Sequence, residues 1–201
     1  MQDFNSSLAQ WLFGFAHTHP LLDAVIIFLA RQLPYLLIIG AVIFILTERR
    51  RRHRLFLFLE AALTLLLSRG FLTEGIRFFY NIQRPFEVWQ TTALTPEKVG
   101  VWNSFPSGHA TFLFALATVL IFHNRKWGIW FFAFALINGI ARIVAGVHWP
   151  MDIVGGALIG IASALIVHLL LARTSKALRI ETAPTPPPRE TPPAETGAGA
   201  A

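Results

Sequence analysis

Residues 21–46, 55–79, 108–122, 127–145 and 150–172 are five predominantly apolar runs, each closed by a short basic or polar segment. About 20 apolar residues cross the hydrocarbon core of a bilayer, and inside it the backbone must satisfy its own hydrogen bonds. Runs of this length therefore predict helices. The chain reads as an all-α, polytopic membrane helix bundle with about five transmembrane helices. Pro34 interrupts the first run and predicts a kink or a break there.

Composition agrees with this reading. Only 14% of the residues are charged, against about 25% in soluble domains, and the mean hydropathy is +0.55. There is no cysteine, which excludes disulfides, thiolate metal sites and cysteine nucleophiles. The net charge of +6 is concentrated in segments such as ERRRRHR at 48–54. Beside apolar helices, that pattern fits anionic headgroups better than nucleic acid, and no nucleic-acid partner is expected.

The basic clusters also orient the chain. Arg49–Arg52 with Arg54, Arg125 with Lys126, and Arg173 with Lys176 and Arg179 follow the first, third and fifth runs. All fall on one side, which the positive-inside rule makes cytoplasmic. Loop 81–107 and the turn at 146–150 then share the outer side of a cell (inner) membrane. Residues 1–20 read as an interfacial amphipathic helix, 21–173 as the membrane domain and 174–201 as a Pro-rich, disordered cytoplasmic tail.

Three clusters meet on the predicted outer side. RFFYNIQRP carries Arg77 and Arg84, seven residues apart; FPSGH carries Ser107, Gly108 and His109; ARIVAGVHWPMD carries Arg142, His148 and Asp152. Three arginines converging on one point repel each other unless an anion joins them, and guanidinium forks match phosphate oxygens. Ser107 is a favoured N-cap, Gly108 lets a ligand approach the backbone, and a helix start offers free N–H groups to anions. By itself PSGH is also a plain helix start. Pro150 suits the first turn of the last helix, so Asp152 can hold one imidazole nitrogen of His148 and leave the other to react.

These clusters resemble the signature of the type 2 phosphatidic acid phosphatase superfamily: K-x6-R-P, P-S-G-H and S-R-x5-H-x3-D. Here the segments read R-x6-R-P at 77–85, PSGH at 106–109 and A-R-x5-H-x3-D at 141–152. Arg77 stands for the lysine, keeping charge but changing geometry, and Ala141 for the serine, removing one phosphate hydrogen bond. The resemblance implies a metal-independent phosphatase without cofactors. In it His148 is the nucleophile that forms a phosphohistidine, Asp152 orients it, and His109 protonates the leaving oxygen and then activates water. Arg77, Arg84, Ser107, Gly108 and Arg142 hold the phosphoryl oxygens.

Small bacterial members with a basic first cytoplasmic loop imply an undecaprenyl-diphosphate phosphatase that recycles the lipid carrier of peptidoglycan. The partner is then a lipid phosphate or diphosphate in the bilayer; oligomeric state is not readable. The alternatives are a phosphatidylglycerophosphate or phosphatidic acid phosphatase, a lipid phosphotransferase, and a non-catalytic lipid-phosphate binding or transport protein. Glu74, Arg69 and Arg31 are candidate supporting residues: Arg69 is expected to pair with Glu60 or Glu74, and Glu74 to position Arg77. Arg31 is weighed between a second phosphate and snorkelling to the interface. His17, His19, His53, His123 and His168 read as structural or solvated. Gly156 and Gly160 form a small-xxx-small pair that predicts close helix packing.

Overall fold

A computed structural model describes residues 2–95 and 103–181. Of the stretch 174–201 expected to be a disordered tail, residues 174–181 are instead the end of the last helix, and residues 182–201 lie outside the described residues. The elements in order are α1 (Gln2–Phe13), α2 (Pro20–Thr47), α3 (Arg51–Phe79), the short α4 (Pro85–Val88), α5 (Gly108–His123), α6 (Arg125–Val144) and α7 (Pro150–Glu181). The described residues form helices and connecting loops, with four helices long and apolar enough to cross a membrane and α5 a shorter apolar one. The helix that carries the fifth run continues to Glu181, past the expected end near Ala172.

The shortness of α5 has a packing reason. It is buried at every position from Leu113 to Leu120, and the main core joins Leu37 and Ala41 of α2, Leu116 and Leu120 of α5, Phe131 and Ala135 of α6 and Ile153 of α7. A helix enclosed by others need not match the bilayer thickness. The outer helices face outward with Leu36, Ile39 and Ile43 on α2 and Leu158, Leu165 and Leu169 on α7, all exposed apolar side chains suited to lipid.

α5 and α7 approach closely because glycine lines the contact. A Cβ on Gly156 would lie 2.7 Å from the Ser107 carbonyl oxygen, and one on Gly160 would lie 2.8 Å from the Ala115 nitrogen. The small-xxx-small pair therefore sets the spacing between the helix that begins with Ser107 and the helix that holds Asp152.

Pro34 does not break α2. A π-helical segment, Phe28–Gln32, comes just before it, and Pro34 falls in the first turn of the α-helical stretch that follows. The proline ring's missing N–H and bulk are absorbed where the hydrogen-bond register has already shifted. The carbonyls of this segment are used by α6: Asn138 Nδ2 donates to Leu29 O at 2.7 Å and to Ala30 O at 3.2 Å.

At the end of the bundle bearing the basic clusters, Glu60 is fully buried. His123 Nε2 meets its Oε2 at 2.6 Å and His168 Nδ1 meets its Oε1 at 2.6 Å. The sequence alone reads these two histidines as structural or solvated. They are the shared neighbours of one carboxylate, and they tie α3, α5 and α7 together. α1 packs against α6 and α7, and Asn5 Oδ1 accepts from Met151 N at 3.1 Å, beside the turn that carries His148. Phe4 and Trp11 remain exposed on it.

Candidate active site

The three sequence clusters are joined pairwise by hydrogen bonds. Arg77 Nη2 donates to Pro106 O at 2.9 Å, linking the end of α3 to the start of α5. Arg84 Nη1 donates to Val147 O at 3.0 Å, linking the loop after α3 to the turn before α7. Ser107 N donates to Asp152 O at 3.0 Å, linking α5 to α7. Segments far apart in sequence thus form one site at the end of the bundle opposite the basic clusters.

His148 and Asp152 are both buried, 1% and 2% exposed. His148 Nδ1 lies 3.2 Å from Asp152 Oδ2. The same oxygen accepts from Trp149 N at 2.8 Å and from Ser104 Oγ at 2.5 Å. A carboxylate held by this set cannot rotate freely, so the imidazole it meets is fixed with Nε2 as its other nitrogen. Nothing in the sequence marks Ser104: it lies outside every spaced motif, and its hydroxyl is bonded to Asp152, 48 residues away.

Ser107 caps α5, accepting from Ala110 N at 3.5 Å, and is fully buried. Its own N–H is already bonded to Asp152 O. It therefore holds the two helices together rather than facing a ligand with that group, which changes the expected cradle. Gly108, the first residue of the helix, lies under Arg69, so a Cβ there would meet Arg69 Nε at 2.6 Å.

Arg142 is 1% exposed and donates from Nη1 to Ala30 O at 3.3 Å. The π segment of α2 therefore orients an arginine on α6 through a carbonyl. A second π-helical segment, Leu66–Thr73, does similar work on α3. Arg69 forms an ion pair with Glu74, five residues on. In a regular α-helix a separation of five would place them about 140° apart, whereas the wider π turn, with its i→i+5 hydrogen bonds, brings residues five apart nearer to one face. Glu74 Oε1 also meets Arg77 Nη1 at 3.4 Å. Of the two acids anticipated for Arg69, Glu74 is the partner. Arg31 stays exposed on α2.

A cavity of about 180 Å³ opens beside this group, lined by Pro34, Tyr35 and Ile38 of α2, Arg69 of α3 and Gly108, His109, Phe112 and Leu113 of α5. Among the described residues no group of three or more His, Asp or Glu is arranged to hold a metal ion. The site offers buried cations, a fixed imidazole and a second imidazole at the cavity wall, which suits attack on a phosphorus centre.

Residues 57–176 match the family model described as the PAP2 superfamily. The chain is 29% identical over 177 residues to the undecaprenyl-diphosphatase BcrC of Bacillus subtilis, covering 87% of this chain and 86% of that one. It is 30% identical over 149 residues to the bacitracin transport permease protein BcrC of Bacillus licheniformis, covering 74% and 71%. Among solved structures it is similar to LpxE of Aquifex aeolicus, with 30% identity and a TM-score of 0.66 over 82% of this chain and 94% of that chain.

Proposed function

The chain belongs to the PAP2 superfamily, and we propose that within this family of membrane lipid phosphatases it is an undecaprenyl-diphosphate phosphatase acting from the extracytoplasmic side. The observation that carries the reading is the His148–Asp152 pair, with Arg77 bonded to Pro106 O and Arg84 to Val147 O, so that the first cluster is tied to the other two beside it. His148 Nε2 attacks the terminal phosphorus while Asp152 stabilises the developing imidazolium. His109 gives a proton to the bridging oxygen, and the lipid monophosphate leaves. His109 then takes a proton from water, whose oxygen attacks the phosphohistidine and releases inorganic phosphate. Arg77, Arg84, Arg142 and the N–H groups at the start of α5 hold the phosphoryl oxygens as charge redistributes.

The substrate is supported by the alignment with a relative named as an undecaprenyl-diphosphatase over most of both chains. Pro34, Ile38, Phe112 and Leu113 line the cavity beside His109, an apolar wall that suits a long isoprenoid tail. The test is a side-by-side turnover series in detergent, in excess chelator, with undecaprenyl diphosphate, phosphatidylglycerophosphate and phosphatidic acid. The highest kcat/KM is expected on the diphosphate. A phosphatidic acid or phosphatidylglycerophosphate rate above it replaces this reading with a glycerophospholipid phosphatase. Phosphate appearing on an added alcohol instead of in solution makes the protein a phosphotransferase. Binding without turnover on all three leaves a lipid-phosphate carrier.

A further inference from the structure

The start of α5 is covered by a guanidinium to which the steps above give no part. Arg69 lies over Gly108, with its Nε and Cζ at 2.6 and 3.1 Å from where a Cβ would stand. Its Nη1 is taken by Glu74, and that carboxylate is shared with Arg77. Two guanidiniums on one carboxylate leave net positive charge beside His109. The cavity of about 180 Å³ opens at this point, with Arg69 and His109 in its wall. Phe112 and Leu113, one turn further along α5, and Ile38 of α2 continue the wall as an apolar surface.

We propose that this cavity takes the phosphate that stays with the lipid, and that Arg69 is the residue selecting a diphosphate over a phosphate monoester. The inference rests on the reading in which His148 attacks the terminal phosphorus and His109 protonates the bridging oxygen. Attacking and leaving oxygens or nitrogens lie roughly in line across the phosphorus in such a transfer. The leaving group therefore departs on the His109 side, into the cavity that His109 lines. With a diphosphate, the next atom beyond the bridging oxygen is a second phosphorus carrying anionic oxygens, and Arg69 is the cation placed to meet them. With a monoester, the same position is a carbon, and Arg69 meets no anion. The apolar continuation then receives the first carbons of the chain in either case.

The experiment compares initial rates on the diphosphate and the monophosphate of one polyprenol, so that only the phosphate differs. It uses the purified full chain, Arg69→Gln and Arg69→Lys. For Arg69→Gln, kcat/KM on the diphosphate is expected to fall about ten- to a hundredfold, the size of one lost charged hydrogen bond. The rate on the monophosphate falls by a smaller factor, so the ratio of the two drops at least tenfold. Arg69→Lys recovers part of the ratio. Equal losses on both substrates, or an unchanged ratio, overturn the assignment and leave Arg69 a support for Glu74 and Arg77. The unmodified protein tests the underlying reading separately: a preference for the monophosphate, or no release from either lipid, removes the diphosphate phosphatase assignment itself.

Discussion

His148 and Asp152 sit one helical turn apart and face each other inside the protein, Nδ1 to Oδ2 at 3.2 Å. Histidine at i and aspartate at i+4 would share a face of any helix, but here the histidine lies just before α7 and the aspartate in its first turn. The imidazole therefore stands at the open end of the helix while its partner is anchored within it. His148→Ala is expected to abolish turnover and phosphohistidine formation, read by trapping acid-labile labelled protein. Asp152→Asn, which keeps the shape and removes the charge, is expected to lower kcat by about 10²- to 10⁴-fold. Unchanged turnover in His148→Ala would disprove covalent catalysis at this residue.

Ser104 donates to the same carboxylate oxygen. Ser104→Ala removes a hydrogen bond to a charged group, worth about 1.5–3 kcal/mol. Because the hydroxyl acts on Asp152 and not on substrate, the loss belongs in kcat, with KM little changed. A rise in KM alone, from steady-state rates, would place Ser104 at the substrate instead.

Glu60 holds His123 and His168 away from the site. Glu60→Ala takes this partner from His123, whose side chain is 6% exposed, and from the partly exposed His168, at about 1–3 kcal/mol for the buried imidazole and less for the exposed one. The expected outcome is a lower thermal midpoint in detergent, with residual activity per folded molecule retained. A midpoint equal to that of the unmodified protein would show that the three-helix tie contributes nothing.

Gly156→Ala places a methyl against the Ser107 carbonyl oxygen and the Ala110 methyl, 2.7 and 2.9 Å away. The helices must separate, at a cost typical of overpacking, about 1–3 kcal/mol. Because Ser107 N–H is bonded to Asp152 O, activity should fall together with stability. Lower stability with full activity would mean that this contact does not position the site.

The chain has no cysteine, so single cysteines report topology directly. Asn81→Cys and Arg50→Cys are both at exposed positions, at opposite ends of the bundle. An impermeant thiol reagent added outside intact cells is expected to label the first and not the second. The reverse pattern would place the site in the cytoplasm.

The spans were legible because hydropathy acts over twenty residues at a time and needs no knowledge of neighbours. The site motifs were legible for a related reason: Arg77 with Arg84, and His148 with Asp152, are close in sequence, so their spacing survives as a pattern. Ser104, Asn138 and Glu60 were not. Each acts on a partner 48 to 109 residues away, and nothing local marks a serine or an asparagine for such a role. The π segments were also hidden, since an apolar run reads the same whether its hydrogen bonds skip four residues or five.

The sequence by itself determined that this is a bundle of membrane helices, and its short-range spacings marked the arginine, histidine and aspartate clusters that meet at one end. Apolar length and short-range spacing are properties of the chain alone. Only the tertiary structure decided which donors face the ligand space and which are spent on holding helices together. Ser107 N–H went to Asp152, Arg69 was swung onto Glu74 by a π turn, and Arg142 was aimed by a carbonyl of α2. These choices depend on how each helix is rotated against the next, and that rotation is fixed by packing at Gly156, Gly160 and the core around α5.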